Sequence, residues 1–101
     1  MTKLEAAFTD ALLKQLLEAE AITGVAETRL MERAGKLGGP RAVSELLSRG
    51  QTTRQFDALR RKNRLDLSPE SLVIKGKYAP LFTDEEANLC LETLLNAGAF
   101  G

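Results

Sequence analysis

A chain of 101 residues, 44% hydrophobic and 28% charged, has the makeup of a single globular domain near the small end of independent stability. Its 14 basic and 14 acidic side chains cancel, and the composition is too apolar for a disordered segment. With no histidine and one cysteine, it lacks the commonest general base, the usual metal ligand and any means of closing an internal disulfide.

The apolar spacing reads as helix from end to end. Thr2-Lys3-Leu4-Glu5 has the form of a capping box, and Leu4, Phe8, Leu12 and Leu16 follow at four-residue intervals until Thr23-Gly24 breaks the stripe. A second helix is predicted over residues 25–36, with Leu30, Met31, Ala34 and Leu37 on one side. Gly38-Gly39-Pro40 ends it, and the proline suits the first turn of a third helix carrying Val43, Leu46 and Leu47 up to Gly50. Thr52-Thr53-Arg54-Gln55 reads as a second capping box opening a fourth helix, with Phe56 and Leu59 inward. Ser68-Pro69-Glu70 starts a short fifth helix that Gly76 closes. Thr83-Asp84-Glu85-Glu86 is a third capping box, and Ala87, Leu91, Leu94 and Leu95 are the expected stripe of the last helix. The expectation is an all-α fold: residues 1–101 as a single helical domain, a bundle of about five to six short helices.

No apolar run approaches the roughly 18 residues of a membrane span. Glu5, Asp10, Glu18 and Glu20 interrupt the first apolar stripe in a way that a signal sequence does not tolerate. A cytoplasmic protein without membrane contact is expected. Cys90, beside Leu91 and with no basic neighbour in sequence, reads as a buried thiol and not as a nucleophile. No metal site, cofactor, catalytic residue or small-molecule substrate is expected, and an enzyme is not predicted.

The charge is segregated. Residues 1–30 carry a net −2, residues 31–64 a net +6 and residues 65–101 a net −4. Such a chain can offer a basic face to nucleic acid or to an acidic partner, unless its acidic ends fold back onto its middle. The candidate basic face is Arg54, Arg60, Arg61, Lys62 and Arg64. A weaker, acidic candidate is Asp84, Glu85, Glu86 and Glu92, the first three of which dipole and capping already explain. Residues 40–63 resemble a helix-turn-helix, with Gly50 in the turn and Arg54 and Arg61 seven apart on the second helix. Leu46 stands where such motifs favour a small residue, and Asp57 is placed to neutralise Arg60 and Arg61.

The segments GGPRAVSELL, FDAL, RLDLSPESLVI and YAPLFTDEEANLCLETL, preceded by TGVAETRLMERAGKLGG, occur in that order. Together they resemble the pattern of a widespread family of small all-helical bacterial and mobile-element proteins, and the likeness spans most of the chain. That family's shared residues serve turns, caps and core, and it has no established chemistry. It usually has glycine where Asn63 stands here, and commonly an aromatic near residues 58–61, where this chain reads Ala-Leu-Arg-Arg.

In size and charge segregation the chain is also similar in kind to small phage-type anti-CRISPR proteins. The resulting expectation is a non-enzymatic inhibitor of a host defence system that binds a CRISPR-type effector complex and blocks its access to nucleic acid. The alternatives are a DNA-binding regulator using residues 40–63 and a helical adaptor or antitoxin-like protein.

Overall fold

The computed structural model describes residues 2–99, and every regular element among them is helical. In order these are α1 (Lys3–Thr23), α2 (Thr28–Leu37), α3 (Gly39–Ser48), α4 (Phe56–Arg61), a 3₁₀ segment (Leu65–Leu67), α5 (Pro69–Val73), a second 3₁₀ segment (Gly76–Leu81) and α6 (Asp84–Asn96). The all-α expectation holds, with α4 and α5 shorter than the sequence pattern suggests.

α1 is the spine. The Thr2 hydroxyl accepts the Glu5 N–H at 3.1 Å while the Glu5 carboxylate accepts the Thr2 N–H at 3.1 Å, so the expected capping box forms. Gly24, at φ +75°, ends the helix by donating its N–H to the Glu20 carbonyl. Phe8, Leu12, Leu16 and Ala19 are fully buried along one stripe, and that stripe serves two apolar clusters. Phe8, Leu12 and Leu16 pack with Leu30 and Ala34 of α2, Val43 and Leu47 of α3, Leu72 of α5 and Cys90 of α6. Ala19 belongs to a second cluster with Phe56 and Leu59 of α4, Leu65, Leu67 and Leu94. The Phe8 ring meets Tyr78 and Phe82 edge-on, each at 5.1 Å between centroids.

The Ser68 and Thr83 caps form as the sequence predicts, the Thr83 one reciprocally with Glu86. The box at residues 52–55 does not. Gln55 is instead fully buried ahead of α4, its amide nitrogen donating to the Leu16 carbonyl at 3.1 Å and the Val25 carbonyl at 2.7 Å. Its backbone N–H donates to the Glu27 carboxylate at 2.7 Å. One side chain thus joins α1, the α1–α2 turn and the entry to α4, and tertiary packing has displaced the local cap. The stripe of α6 is also rotated from expectation. Cys90 and Leu94 are buried, whereas Leu91 and Leu95 are 40% and 55% exposed.

α4 ends on Asn63, the one non-glycine residue with positive φ among the described residues, at +56°. Arg64 N–H reaches back to the Leu59 carbonyl at 2.8 Å and Asn63 N–H to that of Arg60 at 3.1 Å, the bond pair of a helix-terminating left-handed residue. This turn directs the chain from the cationic end of α4 into the buried Leu65 and Leu67.

Candidate functional site

The structure divides the five basic residues singled out from sequence. Arg60, Arg61 and Lys62 sit together at the C-terminal end of α4, all exposed. Asp57 lies 4.0 Å from Arg60, a loose contact between two well-exposed side chains, and Arg61 and Lys62 form no ion pair among the described residues. Arg64 is committed elsewhere: its Nε donates to Asp66 at 3.1 Å, and Glu18 of α1 lies 3.9 Å away. The Asp66 hydrogen bond raises the Arg64 pKa above its usual value.

Arg54 is not on α4 at all. The helix begins at Phe56, so Arg54 and Arg61 do not share a helical face. Seven residues, 49–55, connect α3 to α4, where a helix-turn-helix uses a turn of three or four. α4 is only six residues long and packs through Phe56 and Leu59 onto α1 and the Leu65–Leu67 segment. The helix-turn-helix geometry expected over residues 40–63 is therefore not formed.

Arg54 instead lines a cleft that sequence reasoning missed. It opens between α2, α3 and the 49–55 connection, with a volume of about 230 Å³. α2 contributes Arg29 and Arg33, α3 contributes Glu45, Arg49 caps the end of α3, and Leu30, Ala42 and Leu46 form its apolar part. Glu45 is the internal counter-ion: Arg33 Nη2 donates to one carboxylate oxygen at 2.7 Å and Arg49 Nη2 to the other at 3.0 Å. The Arg33 hydrogen bond holds Glu45 below the ordinary carboxylate range. Glu27, which also lines the cleft, is 5% exposed, and burial pushes its carboxyl up despite the N–H of Gln55. The signal for this cleft was present as two four-residue spacings, Arg29–Arg33 on α2 and Glu45–Arg49 at the end of α3. Each places two charges on one helix face.

The acidic candidates all lie on α6. Glu86 is spent on the Thr83 cap, while Asp84, Glu85 and Glu92 are exposed and form no ion pair among the described residues. Glu70 went unnoticed as anything but a cap-region acid. It is 2% exposed, neither carboxylate oxygen has a hydrogen-bond partner in the protein, and burial pushes its pKa up to about 7, with Glu27 adding to the effect. Cys90 is fully buried, and burial first, then Glu70 and Glu86, pushes its thiol up to about 12.

Among the described residues no group of three or more carboxylates and thiols is arranged to hold a metal ion, and no helix is long and apolar enough to cross a membrane. Comparison of this chain with protein-family profiles, with curated proteins and with solved structures finds no match.

Proposed function

We propose that this protein works by binding a macromolecular partner and performs no chemistry of its own, with the cationic end of α4 as its contact surface. The partner is a nucleic-acid-handling effector complex of the CRISPR type, which the bound protein keeps from its nucleic acid. The observation that carries this reading is the state of Arg60, Arg61 and Lys62. They are exposed and at most loosely paired, and no packing or capping need of the fold accounts for all three. Cations are favoured at a helix C-terminus, but the dipole is satisfied by one of them. The inertness of the remaining reactive groups supports a binding role. The Cys90 thiol stays protonated and inaccessible, and Glu70 is sealed from solvent.

The test is co-purification with effector complexes, wild type against Arg60→Glu combined with Arg61→Glu. Recovery of complex subunits that the charge reversal abolishes supports the reading. Recovery of none of them contradicts it. A parallel mobility-shift assay with random duplex DNA separates out the regulator alternative. Binding that is lost with the same charge reversal and falls steeply with salt would favour direct DNA contact. Reversal of Asp84 and Glu85 to lysine addresses the acidic face of α6, which as a duplex mimic would be the contact if only that change abolished recovery.

A further inference from the structure

We propose that the cleft between α2, α3 and the 49–55 connection binds a phosphomonoester dianion carried on a short organic stem. The inference rests on the reading that this protein acts by binding, but it uses a surface distinct from the end of α4.

Four guanidinium groups and two carboxylates line the cleft. Glu45 engages Arg33 and Arg49 through one nitrogen each, whereas Arg29 and Arg54 form no ion pair among the described residues. Arg54 acts on Glu27 and Arg29 on Glu45, but four cations stand against two carboxylates around one open volume, a surplus of two positive charges. Two buried polar atoms of cleft residues also lack a protein partner. One is Arg33 Nε, on the same guanidinium edge as the Nη2 that Glu45 holds; the other is the hydroxyl of Thr53, a residue only 6% exposed. Buried donors in folded proteins are nearly always satisfied, and leaving them unsatisfied is costly. Both atoms lie beneath the cleft surface, so an incoming acceptor would engage them once the side chains around them shift.

The donor set selects the ligand class. Guanidinium edges and a hydroxyl all donate, so the ligand must supply several acceptor oxygens in a compact group. The surplus of two positive charges balances a dianion. A phosphomonoester near neutral pH carries close to two charges and three terminal oxygens, where a carboxylate offers one charge and two oxygens. A phosphodiester, as in nucleic acid, carries a single charge and so leaves one cation unmatched. Leu30, Ala42 and Leu46 give an apolar wall for the stem. At about 230 Å³ the cleft lies under the roughly 300 Å³ at which whole drug-sized ligands are usually enclosed. It has room for a phosphate and the few carbons that bear it, as in a phosphorylated side chain of a partner or a small phosphorylated metabolite.

The experiment is a ¹H–¹⁵N titration of the whole chain at about pH 7.5, where the phosphate dianion dominates. The probes are inorganic phosphate, phosphoserine, glycerol phosphate and, at matched ionic strength, acetate. Saturable shifts are expected at the Arg33 Nε–H and the Thr53 and Arg54 amides with the three phosphates, and not with acetate. The effect should weaken as the pH is lowered through about 6, where the dianion takes up a proton. Tighter binding of phosphoserine points to a modified partner protein and tighter binding of glycerol phosphate to a metabolite. Arg29→Ala and Arg54→Ala each remove an exposed side chain and should weaken binding about tenfold. Arg60→Glu with Arg61→Glu should leave it unchanged, which separates this site from the α4 surface. No saturable shift, equal shifts with acetate, or binding indifferent to Arg29→Ala and Arg54→Ala would overturn the proposal.

Discussion

The backbone N–H of Gly39 donates to the Thr9 hydroxyl at 2.8 Å, and a Cβ built on Gly39 would lie 2.9 Å from Thr9 Cα. The first turn of α3 therefore touches the backbone of α1 directly, and this contact fixes how α3 leans on the spine. Because α3 carries Glu45 and leads into Arg49, it also fixes one wall of the cleft. Gly39→Ala should destabilise the fold by about 1–3 kcal/mol, since the obstacle is backbone and cannot swing aside. Thr9→Val should cost about 1 kcal/mol through the lost hydrogen bond alone. Urea unfolding of both variants checks the order, and equal stability of Gly39→Ala and wild type would show that the two helices do not meet this closely.

Glu70 makes stability depend on pH. Its folded pKa of about 7 lies above the ordinary 4.5, so in that interval the folded state binds a proton that the unfolded state has released. Its contribution is therefore fully present below about pH 4.5 and is lost as the pH rises through about 7, a fall on the order of 3 kcal/mol. Glu27, also raised by burial, acts in the same direction. Denaturation followed from about pH 5 to 8 should show stability falling for wild type and a flatter profile for Glu70→Gln, which keeps the shape without the charge.

Gln55 ties three parts of the chain together, and its truncation should be felt at all of them. Gln55→Ala leaves the Val25 carbonyl without its donor and opens a void beside α1, at a cost of about 2–3 kcal/mol. Amide hydrogen exchange should quicken at residues 25–27 and 55–59 before it does in the first half of α1. Uniform change across the chain would show that Gln55 is not a local tie.

Asn63 occupies a left-handed turn that glycine adopts without strain. Asn63→Gly should be neutral or stabilising by up to about 1 kcal/mol, and Asn63→Val should destabilise by roughly 1–2 kcal/mol. Thermal melts of the pair would show it.

The helices were legible where local chemistry decides them. The Thr2 and Thr83 boxes, the Ser68 cap, the Gly24 stop and the Gly39-Pro40 start all depend on residues within four positions of one another. Residues 52–55 misled because Thr-Thr-Arg-Gln satisfies the capping pattern, while Gln55 gains more from Leu16 and Val25, which are far away in sequence. Leu91 and Leu95 fit the apolar period of α6 as well as Cys90 and Leu94 do, and only the packing of α6 on α5 and α3 selects which pair is buried. The cleft was illegible for the same reason. Its charges are recognisable in pairs on single helices, but their convergence depends on how α2 packs on α3. Of the sequence-derived basic residues, Arg60, Arg61 and Lys62 do form one surface, since a contiguous run at a helix end needs no tertiary information.

The most direct measurement of the central claim is quantitative co-purification of the tagged protein with a panel of co-expressed CRISPR effector complexes. Wild type, Arg60→Glu with Arg61→Glu, and Asp84→Lys with Glu85→Lys are compared at equal expression. Stoichiometric recovery of one complex by wild type is expected, with loss of that recovery on reversing Arg60 and Arg61 and retention on reversing the α6 acids. Recovery of no effector subunit by wild type, or recovery indifferent to Arg60 and Arg61, would contradict that claim.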